Sequence, residues 1–514
     1  MVFADGRKKS VEGILDVFNE FDRMSGLKIS MEKSVLFVAG TSVEKKEEIL
    51  EQFQFTTGDL PVRYLCLPLL TKNMTINDYL PLIEKIRKKI STWTGRFLTY
   101  AGRLQLINSV IMSLTNFWMA AFRLPSSCIK EIERLCSAFL WSGPDLNGRK
   151  AKIAWSDVCR AKSEGGLGLR PLKEVNMVSC LKLIWRILSA NSLWVNWVKV
   201  YLIRKGSIWM IKDNTQAGSW MWRKVLKYRE IAKSFYRVEV RSGEKAYFWF
   251  EVWSSLGCLK DILRERGCIG IGILIDATVA DSRRHRRRHH RDLMLNKVEE
   301  EIEKYKLNLV YEEDISLWRN GNGKYKRKFS TRETWICIRE RHLECNWHKA
   351  IWFKNATPKF SFITWIAMHG RLSTGDRMRS WYDNVDASCV LCQEPLETRN
   401  HLFFEYSYSE QIWRELMRGV MQNQYTSEWD KLIDLLTGSY SWSKIQLFII
   451  KYMLQSTVYA IWRERNRRKH GETPRPTALL TKQLDKNIRN RITIQQRKGD
   501  KELAGAMAVW FGTR

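Results

Sequence analysis

Cys389-Val390-Leu391-Cys392, followed by Gln393-Glu394-Pro395-Leu396-Glu397-Thr398-Arg399-Asn400-His401-Leu402-Phe403-Phe404-Glu405-Tyr406, is the stretch on which the reading of this chain turns. Two thiols separated by two residues, with an imidazole beyond eight more, converge on one tetrahedral metal when a tight turn aims both sulfurs inward and a short helix returns the histidine. That donor set is zinc-like, and it predicts a small metal-organised domain. Tyr406 stands where a second-half ligand is due, and a phenol is a poor zinc donor. The spacing leaves open a three-coordinate site, one completed by Glu405, by Tyr406 or by water, and an empty one.

Outside that stretch, 514 residues with 45% apolar content predict about three or four domains with real cores. Lys plus Arg number 86 against 55 Asp plus Glu, a net charge of +31. Such a field attracts polyanions through phosphate neutralisation and counterion release, so RNA or DNA is the expected partner. Eleven cysteines, mostly single and in apolar contexts such as Cys136, Cys180 and Cys337, fit reduced thiols better than a disulfide framework. Met1 to Ser10 has no apolar core of a secretory signal. The longest uncharged stretch, Leu104 to Phe122, holds Gln105, Asn108, Ser109 and Asn116 and is too polar to span a membrane. A nuclear or cytoplasmic, non-secreted protein with no membrane partner is expected.

The predicted fold class is mainly α with small β elements. Val11, Ile14, Leu15, Phe18 and Phe21 recur at helical spacing behind Ser10 as a cap, with Ser25-Gly26 as the stop. Leu27 to Ser30 and Val35 to Val38 read as short strands around a polar connection. Two regular stripes, Ile83, Ile86, Ile90, Trp93, Phe97 and Leu104, Ile107, Ile111, Leu114, Trp118, predict amphipathic helices able to pack face to face. Between them lie Lys85, Arg87, Lys88, Lys89, Arg96 and Arg103, each alone a solvated residue and together a candidate nucleic-acid face.

Glu164 to Gly168 lacks a phosphate-loop lysine and reads as a structural turn. Val238 to Val240 and Tyr247 to Trp249 suggest a hairpin turning at Ser242-Gly243 in a tryptophan-rich region. Arg283, Arg284, Arg286, Arg287 and Arg288, interleaved with His285 and His289-His290, form a run expected to stay exposed, as phosphate contacts, an import signal or a plain linker. Ser330 and Glu333 match a helix-opening capping box. Lys349, Lys354 and Lys359 alternate with Trp347, Trp352, Phe353, Phe360, Phe362 and Trp365, a texture of either base stacking or a domain core. His369 is read as structural, with a secondary candidacy for the missing ligand. Tyr452 to His470 reads as a helix ending in the basic run Arg463 to Lys469.

Ser25 to Ser30 with Glu32-Lys33-Ser34, Tyr64-Leu65-Cys66-Leu67-Pro68-Leu69, Trp93 to Leu104, Glu164 to Leu169 and Trp347 to Trp413 together resemble the C-terminal portion of plant LINE-type non-LTR retrotransposon polyproteins. The last of these looks like the reverse transcriptase zinc-binding domain. The resemblance implies a residual palm end with a primer-grip-like segment over 1–75, a helical thumb-like region over 76–200 and a tryptophan-rich connector over 201–280. A basic linker over 281–295, a zinc-binding-like domain over 296–425 with its core at 330–415, and a basic helical region over 426–514 complete it.

Family polymerases hold two divalent ions on paired aspartates. Phe3-Ala4-Asp5-Gly6 offers one carboxylate at most, so no Mg2+ site and no catalysis by this chain alone are expected. Family members have cysteine where Tyr406 stands and glycine where Cys66 stands. The leading expectation is a truncated, inactive reverse transcriptase derivative that binds RNA or DNA. The alternatives are complementation by a reverse transcriptase in trans and a protein-interaction scaffold.

Overall fold

The computed structural model describes every residue except 1, 3, 6, 39, 41, 42, 54, 59–61, 71, 94–97, 265, 382–385, 439–441 and 514. The chain is mostly helical, with three small sheets of two, two and three strands among the described residues. Its backbone forms two compact units: residues 1–79 with 216–223, and residues 80–215 with 224–514.

In the smaller unit, α1 (Lys8–Ser25) ends where Gly26 adopts φ 70° and donates to Asp22 O, the stop that Ser25-Gly26 predicts. The helix starts two residues before Ser10, which instead hydrogen-bonds the Asp5 carboxylate at 2.6 Å. No hairpin forms over 27–38. Leu27 to Ser30 is irregular, and β1 (Val35–Leu36) pairs in parallel with β2 (Thr56–Thr57), across α2 (Val43–Phe53). Parallel pairing needs a crossover, which local alternation cannot announce.

Tyr64 to Leu69 does turn tightly: β3 (Arg63–Tyr64) and β4 (Leu67–Pro68) are antiparallel, and the two turn residues, Leu65 and Cys66, carry φ of 50° and 67°. This left-handed pair is the geometry of a two-residue hairpin turn, where glycine fits without strain.

The larger unit holds the main core. In α3 (Ile76–Thr92), Ile83, Ile86 and Ile90 are buried, while Trp93 meets Phe139 with ring centroids 5.1 Å apart. The second stripe runs through α4 (Tyr100–Leu106), a π turn at Ile107–Ile111 and α5 (Met112–Ala121), burying Ile107, Ile111 and Trp118. Both stripes reach α6 (Ser126–Ser142), and α5 also packs on α7 (Leu172–Ser189). Phe97 lies outside the described residues.

The hairpin expected at 238–249 does not form. β5 (Tyr236–Glu239) pairs with β6 (Ile315–Arg319), which continues antiparallel to β7 (Tyr325–Lys326), while Tyr247 bridges to Thr278. Ser242-Gly243 still turns, with φ 73° at Gly243, because the Asp314 carboxylate accepts the amides of Arg241 and Gly243 at 2.8 Å and of Lys245 at 3.1 Å.

The basic run is only partly free. Arg284, Arg286, Arg287 and Arg288 are exposed, but His285 and His290 place Nε2 at 2.9 and 3.0 Å from Glu299, buried in α8 (Leu293–Leu307). A buried carboxylate needs partners, and these imidazoles supply them.

Beyond α9 (Thr331–Ile338), capped by the Ser330 hydroxyl on the Glu333 amide at 3.2 Å, lies a helical bundle. It comprises α10 (Pro358–Met368), α11 (Arg399–Leu402), α12 (Ser407–Met421), α13 (Trp429–Thr437), α14 (Lys444–Lys469), α15 (Thr477–Arg497) and α16 (Ala506–Gly512). The axis is α14, which packs against α10, α12, α15 and α16. It begins eight residues before Tyr452, at a full capping box between Ser443 and Gln446. Every residue from Phe448 to Val458 is buried, Lys451, Gln455, Ser456 and Thr457 included, so the helix is enclosed on every side there and shows no single apolar stripe.

Candidate metal centre

Residues 389–394 fold back on themselves. The Cys389 amide donates to Glu394 O at 2.9 Å, and the amides of Cys392 and Gln393 donate to Cys389 O at 3.2 and 2.7 Å. Gln393 takes φ 70°, and the Glu394 amide points at Cys392 Sγ from 3.5 Å. This turn sets both sulfurs on one side. Thr398 then caps α11 through the His401 amide at 3.2 Å, and that single helical turn brings His401 Nε2 to 3.1 Å from Cys392 Sγ. One donor atom from each of Cys389, Cys392 and His401 lies within 4.8 Å of the others.

The scaffold below is buried and aromatic. Leu402, Phe403 and Phe404 are buried, with Phe404 4.7 Å from Trp413 on α12 and Phe403 5.6 Å from Trp429 on α13. Burial and the neighbouring Cys392 sulfur hold the Cys389 thiol up, at about 12. A metal ion reverses that preference, since thiolate is the ligand and a cation supplies the missing positive charge.

No carboxylate joins these three donors among the described residues. Glu405 accepts the Trp429 backbone amide, and burial, with Asp430 and Glu428 nearby, raises its pKa. Tyr406 stacks its ring on the His401 imidazole, centroids 5.0 Å apart and planes at 29°. His369 is also elsewhere: its Nε2 bonds Gly165 O at 2.8 Å, beside Trp365 Nε1 at 2.7 Å on the same oxygen. The Glu164 to Gly168 turn is thus a docking point for α10. The residues present fit three of the four positions of a tetrahedral zinc shell.

The sequence-predicted basic residues are dispersed. Lys85, Lys88 and Lys89 are exposed on α3, whereas Arg87 pairs with Glu131 at 2.6 Å. Arg103 is half-buried and donates to Leu140 O at 3.3 Å. Arg283 bonds Tyr305 Oη at 3.1 Å and the Ser242 carbonyl. Lys354 pairs with Asp500 and Glu502, while Lys349 and Lys359 are exposed. Arg96 lies outside the described residues.

Two residues that spacing gave no reason to single out lock the centre in place. Glu397, fully buried, receives Arg465 Nη2 at 2.6 Å and the Gly375 amide at 3.1 Å. All eleven cysteines are free thiols, and no helix among the described residues is long and apolar enough to cross a membrane.

Residues 329–413 match the family described as zinc-binding in reverse transcriptase. A putative ribonuclease H protein of Arabidopsis thaliana is 30% identical over 196 residues, which is 37% of this chain and 31% of that protein. The chain therefore spans under a third of that relative's length. The zinc-binding segment of the match contains Cys389, Cys392 and His401, the donors that the fold gathers.

Proposed function

We propose that this chain is a non-catalytic derivative of a plant LINE-type reverse transcriptase whose activity is binding RNA or DNA, with a zinc ion on Cys389, Cys392 and His401 organising its C-terminal domain. The observation that carries the reading is the convergence of those three donors inside the segment similar to a reverse transcriptase zinc-binding domain. The net charge of +31 supports the nucleic-acid partner. In this reading the tight hairpin at Arg63 to Pro68 is the counterpart of a primer grip, the helices from α3 to α7 are thumb-like, and the first unit is the end of a palm. The sequence contains no Asp-Asp pair to hold two catalytic metals.

When bound, the metal supplies cross-linking of a turn to a helix and no reaction step. Cys389 and Cys392 hold the turn, His401 holds α11, and Thr398 fixes the helix start that orients the imidazole. The test uses the full chain purified from zinc-supplemented medium. About one zinc per chain, lost in His401→Ala, is expected. So is nucleic-acid affinity that falls steeply with salt, with no primer extension in magnesium. Binding that is absent or indifferent to salt would overturn the reading, as would template-dependent extension by the chain alone.

A further inference from the structure

The C-terminal turns of α14 leave the bundle core with one ring and two guanidiniums in line. Tyr459, Arg463 and Arg467 are spaced four residues apart, so they fall on one helix face at about 5.4 Å per turn. Lys359, from the first turn of α10, lies over the Tyr459 ring at 5.5 Å and over Phe360 at 5.3 Å. Arg475 enters from the segment before α15. Tyr459 is common to three adjoining concavities, one of about 230 Å³ that extends past Tyr100 and Phe362 on α4 and α10, and one of about 290 Å³ that extends past Trp462.

Two of these charges are not consumed by the fold. Arg463 is exposed and makes no hydrogen bond or ion pair among the described residues, and Lys359 is exposed with ring contacts only. Arg467 bonds Glu472 through Nε at 2.6 Å, leaving Nη1 buried without a hydrogen-bond partner among the described residues and 4.0 Å from Glu464. Among the described residues the only carboxylates lining these concavities are Glu464 and Glu472, and Glu464 also accepts Arg468 Nε at 3.0 Å and the Arg475 amide at 2.8 Å. Five cations, Arg103, Lys359, Arg463, Arg467 and Arg475, against two carboxylates leave the trough positive.

We propose that this trough, from Tyr100 past Tyr459 to Arg467, is a binding site for single-stranded nucleic acid. Lys359 and Arg463 would contact phosphates, and Tyr459 and Trp462 would offer ring faces to unpaired bases. Alternation of half-buried rings with exposed cations selects a strand whose bases are open, because a duplex keeps its base faces stacked inside and presents only phosphates and base edges. The inference rests on the nucleic-acid reading above and gives it an address distinct from the metal donors.

The test measures fluorescence anisotropy of a labelled thymidine homopolymer, and of a duplex of equal length, with the full chain over a range of salt. Lys359→Glu with Arg463→Glu should weaken single-strand binding at least about tenfold and flatten the salt slope by about 1.4, for two phosphates lost. Tyr459→Leu should weaken single-strand binding about tenfold with the slope unchanged, and leave duplex binding unmoved. Lys173→Glu with Lys182→Glu, the same charge change at exposed positions on α7, serves as the control and should cost much less. Equal losses in the control and trough pairs, or no loss in either trough variant, would overturn the trough while leaving the general reading intact. A wild-type chain without affinity for either nucleic acid would overturn both.

Discussion

The carboxylate of Glu397 and the guanidinium of Arg465 are 68 residues apart in sequence and form a fork-shaped ion pair from which water is excluded, their side chains 0% and 4% exposed. Arg465 Nη2 lies 2.6 Å from Oε1, and its Nε lies 3.1 and 3.0 Å from the two oxygens. Glu397 sits four residues before His401, and Arg465 sits on the central helix α14. The pair therefore bolts the metal loop to the axis of the bundle.

Removing one partner leaves a buried charge alone. Glu397→Ala should cost about 3–5 kcal/mol by urea denaturation. The double variant Glu397→Met with Arg465→Met should recover much of that loss, since apolar replacement removes the desolvation cost of both ions. If the double variant is as unstable as the single one, the pair is not what holds the loop.

Zinc occupancy should track the three convergent donors and not their neighbours. Cys389→Ser, Cys392→Ser and His401→Ala should each abolish stoichiometric zinc, and Glu405→Gln should leave it unchanged because that carboxylate faces the Trp429 amide. Tyr406→Cys should tighten binding by placing a thiolate beside His401, read by competition with a chromophoric chelator. Loss of zinc in Glu405→Gln would show that the fourth ligand is the carboxylate after all.

Glu251 is a buried acid held by Ser207 Oγ at 2.8 Å and Trp209 Nε1 at 3.0 Å, and burial raises its pKa from 4.5 to about 7. The protonated form is thus the one favoured by the folded chain. Its contribution is full below the unfolded value of 4.5 and is lost as pH rises through about 7. Wild type should lose on the order of 3 kcal/mol between pH 4.5 and 8 from this group alone. Thermal melts of Glu251→Gln, which keeps one acceptor and one donor, should show a flatter pH profile over that window.

Gly166 has no room for a side chain. A Cβ there would meet the Arg160 carbonyl oxygen at 2.1 Å, so the turn that receives Trp365 and His369 would have to open. Gly166→Ala should destabilise the larger unit by about 2–3 kcal/mol, measured by urea denaturation. Cys66→Gly acts in the other direction. Relief of the φ 67° turn should slow exchange of the Leu69 amide, which bonds Val62 O at 2.8 Å, by a factor corresponding to about 0.5–1 kcal/mol.

The sequence by itself determined what depends on separations of a few residues. The stripe of Ile83, Ile86 and Ile90, the Gly26 stop, the Ser330 cap and the gathering of Cys389, Cys392 and His401 all follow from helical period or turn chemistry, which the chain encodes locally. Tertiary structure decided the pairing of Val238 with Ser316 instead of a nearby strand, the anchoring of His285 and His290 on Glu299, and the contacts of Glu405 with the Trp429 amide and of His369 with Gly165 O. It also decided that Arg465 would reach Glu397 and that Tyr459, Arg463 and Lys359 would share one trough. Each of those outcomes satisfies a buried polar group or fills a face with a partner many residues away, and no local period specifies which distant segment will arrive.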